Sequence, residues 1–239
     1  MRKALLVLAA MVVGIFLAAQ SAFAWVIVGD YGDTGWQTFS HTFSTNDGAW
    51  TGQIGFLVSN VDDEDFDSVL LIDNLNVKDA AGASLLSNGF GSGTLAGFTS
   101  SGTVEVVESA AAASGTVYNS TDGNSYMAKL TASGTDTSAY FSDEYFGTDG
   151  AILWLDEEQT FEVGYTVSFD WAFLAMDYAP FNDFSLLLHP NSTGDEVDYY
   201  EYDGLGKIGG SGVVPEPASM VLLGIGLAGA GLARRRKRA

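Results

Sequence analysis

The chain has 239 residues, with 30 Asp and Glu against 10 Lys and Arg, no cysteine, and 47% hydrophobic and 13% aromatic residues. Lacking cysteine, it can form neither disulfide staples nor thiol chemistry, and its apolar and aromatic content argues against disorder despite the charge. The acidic excess opposes nucleic-acid phosphates and anionic lipid headgroups, so no nucleic-acid partner is expected, while divalent cations would be attracted.

In chain order, Arg2 and Lys3 precede the apolar stretch Ala4 to Ala19, and Ala22-Phe23-Ala24 supplies an A-x-A cleavage site. This layout predicts a secretory signal peptide over 1–24, handled by the Sec machinery, with Trp25 first in the mature chain. The two terminal segments hold seven of the ten basic residues, and Glu216 is the one acid in the tail. The stretch between them keeps 29 acids against Lys78, Lys129 and Lys207, a net charge of about −26. Its roughly 190 residues suffice for one well-cored domain without metals or disulfides as obligatory staples.

That body has no helical periodicity of any length. Short alternating runs recur between Gly, Asp, Asn and Ser clusters, which predicts an all-β sandwich or jelly roll over 25–203. Strands are expected at Phe39 to Phe43, Ile54 to Val58, Val69 to Val77, Val104 to Val106, Tyr126 to Leu130, Val163 to Ala175 and Phe184 to Leu188. The clearest is Val163 to Ala175, where Val167, Phe169, Trp171 and Phe173 share one face and Thr166, Ser168 and Asp170 the other. Ala110 to Ala113 reads as loop. From Gly204 to Val214 glycines dominate without an apolar pattern, which predicts a flexible tether.

The last segment is tripartite. Pro215-Glu216-Pro217 leads into an apolar run from Ala218 to Ala233, and Arg234-Arg235-Arg236-Lys237-Arg238 follows. The run of about sixteen residues is short of the roughly twenty that span a bilayer core, and the basic cluster would stay cytoplasmic. Residues 215–239 resemble the PEP-CTERM sorting signal of Gram-negative bacteria. That resemblance implies a short transmembrane helix, recognition and cleavage by an exosortase, and delivery to the outer surface or extracellular matrix after transient anchoring in the inner membrane.

Two body segments resemble pieces of bacterial surface jelly rolls of the carbohydrate-binding type. Asn88-Gly89-Phe90 to Phe98 looks like their opening strand, and Asp65 to Leu75 like their closing one, in reversed chain order. Either the domain is circularly permuted, as nearby termini permit, or two small β-units lie in tandem with a boundary near Lys78 to Ser84. A unit of about 54 residues would be marginal alone, so the single domain is expected.

Chemistry could sit in few places. The loop Asp62-Asp63-Glu64-Asp65-Phe66-Asp67 offers dense carboxylates, and Asp62, Asp63, Asp65 and Asp67 are candidate calcium ligands, although the spacing is not that of an EF-hand. The alternative is a solvated loop. Asp170, Asp177 and Asp183 form a looser second group. His41, in phase with Phe39 and Phe43, reads as an interior or rim histidine, and His189 as loop punctuation before Pro190. No motif for a serine nucleophile, a zinc protease or a phosphate loop is present, and the acids single out no glycosidase pair. Trp36 and Trp50, beside turn-like segments, are the candidate sugar platforms, whereas Trp171 should be core. The expectation is an exported, surface-sorted, non-catalytic protein of the exopolysaccharide or biofilm matrix, with no cofactor required and calcium as a candidate ligand. A glycan-binding module is the alternative, and a glycoside hydrolase a distant third.

Overall fold

The computed structural model describes residues 26–45, 49–61, 63–138, 141–142, 145–178, 181, 183–188 and 207–211. The expected signal peptide with Ala22 and Ala24, His189, and the sorting tail with Pro215, Glu216, Pro217, Arg234, Arg235 and Arg236 lie outside them, as does Asp62. Among the described residues every regular element is a strand and no helix is long and apolar enough to cross a membrane.

The strands are β1 Ile27–Val28, β2 Gln37–Thr42, β3 Trp50–Gly52, β4 Gly55–Val61, β5 Val69–Lys78, β6 Ser84–Asn88, β7 Phe98–Ser101, β8 Thr103–Val107 and β9 Ser109–Ala111. After them come β10 Val117–Asn119, β11 Met127–Thr131, β12 Thr135–Asp136, β13 Phe141–Ser142, β14 Tyr145–Leu155, β15 Gln159–Phe161, β16 Thr166–Leu174, β17 Phe184–Leu188 and β18 Lys207–Ser211. One large sheet runs β1-β18-β17-β4-β14-β12, with β7 and β13 also on β14; the other runs β2-β16-β5-β11-β8, with β6 also on β5. Two small ladders, β9 with β10 and β3 with β15, complete the set.

The two large sheets share one core. Phe56 and Val58 from β4, Leu153 from β14 and Leu187 from β17 pack in the same buried cluster as Phe39, Ile72, Leu130, Val167, Phe169, Trp171 and Phe173 from the other sheet. Phe169 is the join: it stacks on Phe39 at 4.8 Å within its own sheet and meets Phe56 of the facing sheet edge-on at 5.0 Å. The expected alternation of β16 holds, and Trp171 is core. Strands on either side of the Lys78–Ser84 junction pair directly, Val77 with Leu86. Residues from both sides of that junction, Phe39 and Ile72 before it and Leu130 and Phe169 after it, lie in the same buried cluster.

β5 carries the one irregularity that matters for packing. Asp73 pairs with Asp170 and Asn76 with Ser168, so β5 holds one residue more than β16 between these pairs. Asn74 takes up the extra residue with φ 53°, a left-handed conformation that Asn tolerates better than most. Parity switches there: Leu70 and Ile72 point into the core before the bulge, Leu75 and Val77 after it. Without the bulge the last two would face outward.

Two readings of the chain change. Ala110 and Ala111, within the expected loop Ala110 to Ala113, belong to β9, which pairs with Val117–Asn119, and this hairpin covers the outer face of the six-stranded sheet, where Ala112 and Tyr118 pack on Leu71, Met127 and Leu174. Lys207–Ser211, read as tether, is a strand between β17 and β1, with β1 parallel to it. Glycine supplies no apolar pattern, but the backbone hydrogen bonds of a sheet need none.

Phe169→Ala should remove about 3–5 kcal/mol of stability. Urea denaturation of the full-length chain in detergent checks this; a loss under 1 kcal/mol would mean that the sheets are not joined through this ring.

Candidate functional site

Three stretches distant in sequence meet beside one end of the sandwich: the turn Asp30–Tyr31, the β4–β5 loop around Asp63 to Ser68, and the segment Met176 to Asp183 after β16. Backbone and side-chain bonds tie them together. Tyr31 N–H donates to the carbonyl of Asp177 at 3.0 Å. Met176 N–H donates to Ser68 Oγ at 3.1 Å, and Thr148 Oγ1 to the carbonyl of Asp63 at 2.7 Å.

The carboxylates in these stretches differ in their surroundings. Asp177 and Asp183 are buried. Burial pushes Asp177 above its ordinary value against the hydrogen bond that Tyr178 N–H donates to Oδ1 at 2.7 Å, and Asp63, Asp65 and Asp30 add to the rise. Asp183 is pushed up to about 7, first by burial and then by Asp177 and Asp63, while the Ser68 hydroxyl and Val61 N–H oppose the shift. Asp63 is half-buried and accepts Asp65 N–H through Oδ1 at 3.2 Å. Asp65 is exposed, and Asp67 is committed to β4 by Asn60 Nδ2 at 3.0 Å. The acid loop thus divides, with Asp63 and Asp65 toward the buried pair and Asp67 toward β4.

Aromatic rings gather in the same stretches as these acids. Tyr178 lies 6.0 Å from Tyr31, 6.2 Å from Phe66 and 6.1 Å from Phe181, centroid to centroid. Tyr31, Phe66 and Tyr178 are 43%, 57% and 40% exposed, so half of the six large hydrophobic side chains that stand out among the described residues are in this one patch. Tyr31 and Phe66 also have φ of 54° and 61°. A bulky residue held there costs on the order of 1–3 kcal/mol. The other two non-glycine residues of this kind have packing reasons. Asn74 forms the bulge, and Phe90 plugs the core against Phe98 at 5.2 Å. Tyr31 and Phe66 gain no such burial. Beside the patch, beyond Glu64, opens a groove of about 620 Å³ lined by Glu64, Thr135, Asp136, Ser138, Thr148 and Asp149.

Asp170 belongs elsewhere. It pairs with buried Asp73 across β16 and β5, and Thr121 Oγ1 reaches Asp170 Oδ2 at 2.7 Å and Asp73 Oδ2 at 3.1 Å. One hydroxyl has one hydrogen, so it serves both acids only when one of them carries a proton, and burial pushes Asp73 upward. Asn74 N–H at 2.8 Å and Thr121 N–H at 2.6 Å complete Asp73. This network pins the loop after β10 to the sheet and is structural.

Of the two tryptophan candidates, Trp36 is half-buried against the hairpin-covered cluster. Its ring meets Tyr118 edge-on at 5.9 Å and Nε1–H donates to the carbonyl of Asn119 at 3.1 Å. That donor and much of the ring are already in use. Trp50 lies in β3 opposite Phe161. His41 is half-buried, edge-on to Phe43 at 4.8 Å, on the face its phase indicated. The aromatic patch was missed because its members are isolated in sequence; the signal available was Asp177-Tyr178-Ala179-Pro180-Phe181 beside the acid loop.

Residues 213–237 match the PEP-CTERM protein-sorting motif. The motif marks an exported protein that is anchored transiently in a membrane, processed by an exosortase and sorted to the surface. No curated protein and no solved structure matches the chain.

Asp183 binds its proton more tightly folded than unfolded, so its contribution is fully present below about pH 4 and is lost as pH rises through about 7. In chelator, stability should therefore fall by an order of a few kcal/mol between those limits, and Asp183→Asn should flatten that fall and stabilise the chain at pH 8. Chemical denaturation at a series of pH values reads it; an unchanged slope in the variant would refute the assignment.

Proposed function

We propose that this exported protein is a non-catalytic component of the exopolysaccharide or biofilm matrix, and that its body holds carbohydrate at the surface of Tyr31, Phe66 and Tyr178. The observation that carries the reading is that two of three adjacent exposed aromatics are held in left-handed backbone with no core contact in return. Clustered exposed aromatic surface marks interaction sites, and strain of this kind gathers at ligand clamps. The apolar faces of sugar rings suit such rings, and the hydroxyl groups of a chain laid across them would reach the carboxylates and hydroxyls of the groove past Glu64. The sorting motif supports the setting, since it directs the chain to the surface. The resemblance of the segments 65–75 and 88–98 to carbohydrate-binding jelly rolls is in line with it. This reading moves the sugar platform from Trp36 and Trp50 to the β4–β5 and β16–β17 loops.

Affinity electrophoresis of the full-length chain through gels containing the producer's exopolysaccharide tests this. Tyr178→Ala and Phe66→Gly should each weaken retention about tenfold, equivalent to about 1.4 kcal/mol. Phe66→Gly should at the same time raise stability by about 1 kcal/mol, because glycine takes up φ 61° without strain. Trp36→Phe should leave retention as it was. Retention that ignores Tyr178 and Phe66 would sink the reading.

A further inference from the structure

We propose that Asp177 and Asp183, joined by Asp63 and Asp65, form a calcium site beneath the aromatic surface that fastens its three loops together. The acid cluster alone would not carry this. The second observation is Asp177 itself, whose side chain is fully buried. Oδ1 accepts Tyr178 N–H, while Oδ2 is buried and has no hydrogen-bond partner. A buried carboxylate oxygen without a donor is costly, and native structures leave few such atoms without a reason such as a proton, a water or an ion.

The surrounding charges and the ligand types fit a hard cation. The groups that act on Asp177 are Asp63, Asp65 and Asp30, and those on Asp183 are Asp177 and Asp63, all of one sign. The body has only three lysines to offer; the ion pair formed among the described residues, Lys129 with Glu105 at 3.3 Å, lies on β11 and β8. Every donor here is a carboxylate, with neither imidazole nor thiolate, which suits calcium and disfavours zinc or copper. Among the described residues no three acids yet stand in ligating reach of one point. Asp177 and Asp183 are accordingly the fixed anchors, and binding draws in the Asp63 and Asp65 carboxylates from the loop above. Asp67 is left out, held by Asn60.

The chemistry also has a consequence for the surface above. The main-chain carbonyl of Asp177 holds Tyr31 N–H, and Asp65 immediately precedes Phe66, with Asp63 two residues before Asp65. An ion bound to these acids would hold both left-handed aromatics in place. Extracellular calcium modules work with Kd of about 10⁻⁴–10⁻³ M, a range that fits a protein sorted to the surface.

The test uses the full-length chain in detergent at pH 8, stripped with chelator and dialysed. Calcium is titrated to 10 mM by calorimetry, and thermal unfolding is followed with calcium, magnesium or chelator. The expected result is one saturable calcium per chain, a rise of several degrees in Tm, and a much smaller response to magnesium. Asp177→Asn and Asp183→Asn should abolish binding, and Asp67→Asn should retain it. Because the buried substitutions could disturb folding, Asp65→Asn is the second arm: exposed, it should keep the Tm in chelator and weaken calcium about tenfold. No saturable calcium, or undiminished binding in both Asp177→Asn and Asp65→Asn, would overturn the site. Calcium is read without carbohydrate, so its failure leaves the proposed function standing, and loss of carbohydrate retention leaves the calcium result standing.

Discussion

Burying carboxylates without cations is the constraint that shapes this fold. The body sets 29 acids against three lysines, so an acid inside it must be satisfied by hydroxyls, amides, protons or ions rather than by arginine or lysine. Asp73 shows the complete solution: two main-chain N–H groups and Thr121 satisfy it, and Asp170 shares the threonine. Asp183 has the Ser68 hydroxyl and Val61 N–H and stays protonated up to about pH 7. Asp177 receives one N–H and keeps one bare buried oxygen. Removing a charge from water without compensation costs several kcal/mol, so a ligand at the end of the sandwich that holds Asp177 and Asp183 would relieve that cost.

That end is also where the rings of Tyr31, Phe66 and Tyr178 stand in solvent. The core does not require them there. Phe169, Phe39 and Phe56 join the two sheets without their help, and Phe66 is 57% exposed. The surface therefore sits on a rigid scaffold yet draws its shape from loops, the usual division of labour between framework and binding site. The sorting motif at 213–237 and this surface lie in separate parts of the chain, and the motif directs where the protein goes.

Much of the fold was legible in the sequence. β2, β8, β11 and β16 follow from short alternating runs, and β4, β5 and β17 from largely apolar runs, which in β4, β17 and the first half of β5 are buried on both faces. The longest strand, β14, did not show, since Gly147, Asp149 and Gly150 break its pattern. Gly150 is there for contact: a Cβ would lie 2.3 Å from the carbonyl oxygen of Val58. β18 was hidden for a related reason, being glycine-rich and paired through its backbone. Of the site, the acid loop and the Asp177–Asp183 segment were each visible as groups of carboxylates. Their meeting was not, because it depends on β4, β5, β16 and β17 bringing the ends of two sheets together, and no local pattern encodes that. Trp36 and Trp50 stand out in the sequence as tryptophans beside turns, whereas Tyr31 and Phe66, exposed beside Tyr178, are set apart by a left-handed backbone that the sequence does not display.

The most direct measurement is a carboxyl-carbon NMR titration of Asp177 and Asp183 in the full-length chain, in chelator and again with calcium. In chelator Asp183 is expected to titrate near pH 7 and Asp177 above the ordinary aspartate range, and calcium is expected to carry both to much lower pH. Two aspartates titrating near pH 4 in both conditions would show that they are solvated, and the cluster beneath the aromatic surface would not exist.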